Sequence, residues 1–302
     1  MENNQPLVSV IMNCYNSDKY LTEAIESVIA QTYTNWEIIF WDNQSTDQSA
    51  EIVKSYNDER IKYFYAPTFE PLYGARNYAT EKANGEYITF LDCDDKWLDK
   101  KLELQLQVLH NTEYSFCYSN YFNLQNGELK KAFCEKQPSG DIFKYQISNY
   151  SIGILTVMFK KERWNKMEKK FNENYNYPGD FDFFIRFLYE NKAIYIDECL
   201  CEYRADNPNS LSNTKVKENI VEMGDAIESL EEKYLNNETK PYFKILRSRL
   251  NLKESLHYIK MNKRIKARLV AKKYKFFRLK NLVVYLFTYL PNNLLQILLT
   301  KI

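Results

Sequence analysis

The sequence predicts an α/β protein: a doubly wound, mixed sheet flanked by helices, followed by a mainly helical C-terminal extension. Three observations predict it. Short apolar runs of strand length alternate with segments of helical periodicity through the first hundred residues. Polar and acidic residues stand where several of those runs end. Beyond about residue 212 the pattern is helical almost throughout. The expected division is therefore residues 1–212 as one domain and 213–302 as the extension.

Taken in order, Val8–Met12 reads as a buried strand. Lys19–Gln31 carries Leu21, Ala24, Ile25, Val28 and Ile29 at helical spacing. Trp36–Trp41 is the second strand, followed by a helix capped by Ser45 or Thr46 and running towards Tyr56. Ile61–Tyr65 reads as a strand, Ala75–Ala83 as a helix and Glu86–Leu91 as the fourth strand. Such alternation implies parallel βαβ units. From Leu104 to Ser210 the pattern is mixed: Tyr114–Tyr118, Ile154–Phe159 and Ala193–Ile196 read as strands, Phe181–Glu190 as a helix.

Composition is that of a globular protein, 45% hydrophobic and 27% charged over 302 residues. The net charge of +1 hides a strong polarity. Residues 1–239 hold 25 Lys and Arg against 39 Asp and Glu, whereas 240–302 hold 16 against the single acid Glu254. A basic tail of this kind suits an anionic partner, either nucleic acid or a membrane surface. The six cysteines have no metal-ligand spacing and there are two histidines, which argues against a zinc site and for reduced, cytosolic thiols. MENNQPLVSV has neither a basic n-region nor a long apolar run, so no signal peptide is expected.

In open α/β sheets ligands bind beyond the carboxyl ends of the strands. The first strand leads into Asn13, Cys14, Tyr15 and Asn16, the second into Asp42-Asn43, and the fourth into Asp92-Cys93-Asp94-Asp95. One Asp-Asn pair alone reads as a surface turn; coincident strand ends read as a site. None of the seven glycines forms a G-x-G, which argues against a dinucleotide-binding loop and a P-loop. A diphosphate here would need another counter-charge, and a divalent cation, Mn²⁺ or Mg²⁺, held by Asp92-x-Asp94 supplies one.

The run PLVSVIMNCYNSDKYLTEAIESVIAQTYTNWEIIFWDNQSTDQSAEIV resembles the opening of the family 2 inverting glycosyltransferases of the GT-A fold. GARNYATEKANGEYITFLDCDD resembles that family's A-R-N segment and D-x-D strand end, YPGDFDFFIRF its later acidic segment, and YRADNPNSLS its Y-R-x-H-x-x-S-x-S segment. The four appear in the family's order. The resemblance implies transfer of a sugar from a nucleotide diphosphate to an acceptor hydroxyl, with inversion. It implies that Asn13 lies in the nucleotide site, that Tyr15 and Asp42 contact the nucleobase in a way that suits uracil, and that Arg76 lies beside the nucleotide. Asp92 would approach the ribose, Asp94 would bind the metal, and Asp180 would be the general base. Asp182, Arg204 and Asp206 are secondary candidates. The acidic segment usually reads E-D, whereas Gly179 precedes Asp180 here, and the family's His in the Y-R-x-H segment is Asp206. Those departures bear on how the leaving group is stabilised more than on the reaction class, and they leave open, as the alternative, a nucleotide-sugar-binding scaffold without turnover. A sugar-nucleotide pyrophosphorylase would open on a glycine-rich basic loop, and MNCYNSDKY is not one.

Lys260–Lys280 contains ten lysines and arginines interleaved with Tyr274, Phe276 and Phe277, followed by Leu282–Leu290 and Leu294–Leu299 around Pro291-Asn292-Asn293. The broken run is too short for a bilayer span of ~20 residues. It suits a helix lying on an anionic membrane surface through residues 260–302, and it carries no nucleic-acid motif. The expected placement is cytoplasmic and peripheral on the cytosolic membrane face, where the acceptor would be a lipid-linked or surface glycan. Packing of the tail on protein is the other reading.

Overall fold

The computed structural model describes residues 5–207 and 215–290. Its first compact unit, which holds the sheet, runs to Gln146 and resumes at Tyr150; the second comprises Ile147–Asn149 and the C-terminal helices.

The first unit starts with alternating elements. Strand β1 (Val8–Cys14) precedes helix α1 (Asp18–Ile29), β2 (Trp36–Asp42) precedes α2 (Ser49–Ser55), and β3 (Ile61–Tyr65) precedes α3 (Leu72–Glu81). Then come β4 (Tyr87–Phe90), the two-residue β5 (Lys96–Trp97), α4 (Lys101–Leu109), β6 (Phe116–Gln125) and β7 (Glu128–Lys131). Helix α5 (Phe143–Ser148), a 3₁₀ turn (Ile154–Thr156), β8 (Met158–Lys160), α6 (Lys161–Lys166), α7 (Gly179–Glu190) and β9 (Ala193–Arg204) complete the series.

Strands lie in the order β3-β2-β1-β4-β8-β6-β9-β5, with β7 paired to β6. The first four are parallel, with Cys14 opposite Asp42 and Ile11 opposite Phe90. Strand β8 runs antiparallel to both β4 and β6, which makes the sheet mixed. Every residue of β2 is buried and β1 nearly so, as expected for strands covered on both faces. Helix α1 packs Leu21, Ala24, Ile25 and Val28 into the same core as Val8, Val10, Met12, Ile38 and Phe40. The carboxyl ends of β1, β2 and β4 consequently share one edge.

Several elements differ from the sequence expectation. Helix α2 starts at Ser49, because Ser45 and Thr46 are used in a turn: Ser45 N–H donates to Asp42 Oδ1 (2.8 Å) and Thr46 N–H to Asn16 Oδ1 (2.7 Å). The apolar run Ile154–Phe159 splits into a 3₁₀ turn and a three-residue strand. An apolar run of six carries no period that separates the two. Strand β9 extends to Arg204, eight residues past its expected end, through bulges opposite β6. Helix α7 begins at Gly179, so Asp180 and Asp182 both fall in its first turn.

The second unit contains α8 (Val216–Tyr234), α9 (Lys240–Lys260), α10 (Arg264–Lys272) and α11 (Leu279–Phe287). Ile259, Ala267 and Val284 form its small core with Leu252, Leu256 and Phe287 around them. Arg247 clamps Glu231, joining α9 to α8 (2.6 Å). The expected boundary at residue 212 and the apolar run Leu294–Leu299 lie outside the described residues. Among the described residues no helix is long and apolar enough to cross a membrane.

Candidate active site

The site is built where β1, β2 and β4 end and α3 and α7 begin. At the end of β1, the side-chain nitrogen and oxygen of Asn13 are both buried and have no hydrogen-bond partner among the described residues. Buried amides are nearly always satisfied in folded proteins, so an unsatisfied one calls for water or a ligand. The Asn13 carbonyl accepts from Cys93 Sγ (3.3 Å), which ties β1 to the acidic turn after β4. Tyr15 is half exposed and meets Phe69 edge-on, ring centroids 4.9 Å apart.

Asp42 ends β2 completely buried. Its Oδ1 accepts from Ser45 N–H and its Oδ2 from the Tyr63 hydroxyl (2.5 Å). The Tyr63 hydroxyl is pushed well up, first by burial and then by that carboxylate. Asp42 thus braces the turn after β2 against β3 from beneath the edge.

The turn after β4 concentrates charge. Arg76, from α3, is buried and pairs with Asp92 Oδ1 at 2.5 Å, while a third of the Asp92 side chain stays exposed. Asp94 and Asp95 are both held above the usual carboxylate range, by burial first and then by neighbouring acids. Asn207 donates to Asp94 Oδ2 (2.7 Å), and Arg204 donates from Nε to the Asp94 carbonyl (3.0 Å) and from its backbone N–H to Asp95 Oδ1 (2.9 Å). Among the described residues no group of three or more His, Cys, Asp or Glu is arranged to hold a metal.

Asp180 comes from the far side of the sequence to this edge. The Tyr73 hydroxyl, one turn before Arg76 on α3, lies 3.4 Å from Asp180 Oδ1 and 3.2 Å from the Tyr177 carbonyl. Burial raises the Asp180 carboxyl; the Phe181 N–H (2.7 Å), the Arg76 charge and the Tyr73 hydroxyl oppose that rise, and Asp92 adds to it. Position in the first turn of a twelve-residue helix also favours the anion. Asp180, Tyr73, Arg76 and Asp92 thus form one electrostatically linked group, spanning 88 positions of sequence between Asp92 and Asp180.

The sequence model of glycosyl transferase family 2 matches residues 9–188, which contain this whole group. The chain belongs to glycosyl transferase family 2. It is a GT-A-like glycosyltransferase that uses a nucleotide-sugar donor. A Bacillus subtilis protein named for teichuronic acid biosynthesis, TuaG, is 35% identical over 72% of this chain and 86% of its own length. WfgD of Escherichia coli, named UDP-Glc:alpha-D-GlcNAc-diphosphoundecaprenol beta-1,3-glucosyltransferase, is 32% identical over 70% of this chain and 82% of its own. Among solved structures, S. aureus TarS 1–349 in complex with UDP-GlcNAc superposes with a TM-score of 0.64 at 18% identity, covering 93% of this chain and 90% of that one. That likeness concerns the fold.

The remaining candidates of this family 2 chain lie apart from the linked group. Asp182 points elsewhere: it is buried and pairs with Arg186 (2.7 Å), which in turn holds the Lys169 and Lys170 carbonyls (both 2.7 Å). Asp206 is exposed, and its Oδ2 accepts from Asn126 N–H (3.0 Å) in the β6–β7 turn. Arg204 stacks over Tyr20 (3.9 Å) and reaches Glu23 (3.1 Å), so it ties the end of β9 to α1 and the acidic turn together. Sequence reading singled out neither Tyr73, Phe69 and Asn207 nor Tyr150, whose buried hydroxyl faces Asp180, and it gave Asp95 no role of its own. Asp95 was within sight, adjoining Asp92-x-Asp94. Nothing in the chain's periodicity marks the others.

Proposed function

We propose that this enzyme transfers a sugar from a UDP-sugar to the hydroxyl of a lipid-linked or surface glycan, inverting the anomeric centre, with Asp180 as general base. The observation that carries the reading is the linked group Asp180–Tyr73–Arg76–Asp92, which brings a partly exposed carboxylate beside the acidic strand end. An acceptor hydroxyl is a poor nucleophile until a carboxylate within hydrogen-bond reach takes its proton, a contribution of roughly 10²–10⁴-fold. Raised above its usual range yet held as an anion by Arg76 and the helix terminus, Asp180 is suited to that transfer. The hydroxyl oxygen then attacks the anomeric carbon as the bond to the diphosphate breaks, and the proton stays on Asp180.

At the nucleotide end, the unsatisfied amide of Asn13 and the exposed Tyr15–Phe69 pair are suited to a base and its ribose. Uracil is favoured because relatives include an enzyme named for UDP-Glc; Asp42, fully buried with Ser45 and Tyr63 on its two oxygens, would support the base from behind the turn after β2. The acidic turn fits a divalent cation, Mn²⁺ or Mg²⁺, since crowded carboxylates that raise one another are relieved by a positive ion. Asp94, with Asp92 adjacent, would hold it, two carboxylates leaving room for substrate oxygens in the shell. When bound, the ion supplies positive charge to the departing diphosphate. Residues 1–212 are read as the catalytic domain and 213–302 as an extension that docks on an anionic cytosolic membrane face.

The test is turnover with a panel of UDP-, GDP- and TDP-sugars, a polyprenyl-diphosphate glycan acceptor, and Mn²⁺ or EDTA. The expected result is release of UDP that depends on acceptor and is lost with EDTA. Nucleotide binding with no release for any donor would favour the non-catalytic scaffold, and pyrophosphate-dependent exchange would favour a pyrophosphorylase.

A further inference from the structure

Gly179 occupies the place where the family's acidic segment usually has a glutamate, and the structure shows what has taken its space. A Cβ built on Gly179 would overlap Cδ2 and Cε2 of Tyr73, so the tyrosine ring abuts the bare backbone at the start of α7. Only glycine allows so close an approach. The ring is almost fully buried, with 3% exposure, and packs against Phe171 at 5.4 Å between centroids. Its hydroxyl ends up shared between Asp180 Oδ1 (3.4 Å) and the Tyr177 carbonyl (3.2 Å). The Arg76 guanidinium sits over the same ring, 5.2 Å from its centroid.

Helix α3 is fixed in this position independently. Asn77, the residue after Arg76, exchanges two hydrogen bonds with the backbone of Phe171 (3.0 and 3.1 Å). Tyr73 at one turn's distance is therefore delivered to the α7 terminus by a rigid element rather than by a loop.

From this geometry we propose that Tyr73 is a positioning residue for the general base: its ring fills the space left by Gly179, and its hydroxyl orients the Asp180 carboxylate and steadies its charged form. The inference rests on Asp180 being the base. Tyr73 is too buried to touch either substrate, so its effect passes through Asp180. The groups facing that carboxylate are Tyr73 and Arg76 from α3, Asp92 from the turn after β4, and the buried Tyr150 hydroxyl, whose own pKa burial and Asp180 hold far above normal.

The test is Tyr73→Phe, which keeps the ring and removes the hydroxyl. Loss of that donor disfavours the carboxylate, so the acid limb of the kcat/KM–pH profile should move up by about half a unit to one unit. kcat should fall roughly 10-fold while the donor KM stays unchanged, with the melting temperature lowered by only the few degrees that loss of one buried hydrogen bond brings. An unshifted profile with wild-type kcat overturns the proposal. Gly179→Ala should lose activity because its methyl displaces the ring, and Gly179→Ala combined with Tyr73→Ala should regain part of it. If both single variants and the pair are equally impaired, the packing relation is wrong. Asp180→Asn, run alongside, separates the two readings: activity in that variant removes the base itself, whereas an inactive Asp180→Asn with a normal Tyr73→Phe removes only the role of Tyr73.

Discussion

Arg76 holds three partners together from within the protein interior. Only 4% of its side chain is exposed, yet it pairs with Asp92, faces Asp180 and lies over Tyr73. A buried guanidinium costs a great deal to desolvate, and its opposing charges have to offset that. Arg76→Met should destabilise the fold by about 3 kcal/mol, the low end for a broken buried pair, because water still reaches part of Asp92. Urea unfolding measures this; a loss under 0.5 kcal/mol would show that the pair is solvated. Arg76 was legible in the sequence through its A-R-N setting. The packing of Tyr73 on Gly179 was not, because that contact arises across 106 positions and leaves no periodic trace. Asp182 and Asp206 were both legible as acids near motif positions; Arg186, four residues after Asp182 on the same helix, is a local partner, whereas the Asn126 turn that holds Asp206 is brought there by tertiary contact alone.

At the scale of elements, the alternation of apolar runs and helical stripes located β1 to β4 and their connecting helices to within a few residues, because β1, β2 and β4, buried on both faces, read as continuous runs, and the partly exposed β3 still carries a short run of β-formers. Pairings of β5 with β9 and of β8 between β4 and β6 were invisible, since two- and three-residue strands carry no period. Helix α4 holds another surprise. Lys101, its first residue, is fully buried, donating to Thr89 Oγ1 (3.0 Å) and Gln105 Oε1 (2.6 Å) and lying 4.0 Å from the Trp97 ring centroid. Burial lowers its ammonium to about 8 from 10.5, against opposing influence from Cys201 and Cys117. Between those two values the unfolded chain binds more protons, so this residue's contribution to stability improves as pH rises. Relative to Lys101→Met, the wild type should gain about 2 kcal/mol between pH 7 and pH 10. Parallel stability curves would contradict the buried charge.

For the whole molecule, charge is divided along the chain rather than balanced locally. Within the basic extension, Ile265, Leu269, Phe276 and Leu279 are 68–80% exposed, and exposed Lys263, Lys266, Lys272, Lys273 and Lys280 surround them in sequence. Ile265 and Leu269 are four apart on α10, on the face opposite to the buried Ala267 and Ala271. Apolar groups ringed by cations suit an anionic lipid surface, where each lysine near the headgroups contributes about 1 kcal/mol. Vesicles of phosphatidylglycerol should sediment the protein, and phosphatidylcholine vesicles should not. Ile265→Glu with Leu269→Glu should weaken that binding at least tenfold without changing turnover on a soluble acceptor. Equal recovery on both vesicle types, or no effect of the pair, would contradict membrane docking.

The most direct test of the catalytic account is Asp180→Asn, measured at once for UDP affinity by calorimetry and for sugar transfer by UDP release. The substitution keeps the shape and removes the base, so UDP should bind within about twofold of wild type while transfer falls by at least roughly 10²-fold. Transfer at the wild-type rate, with UDP binding intact, would contradict it.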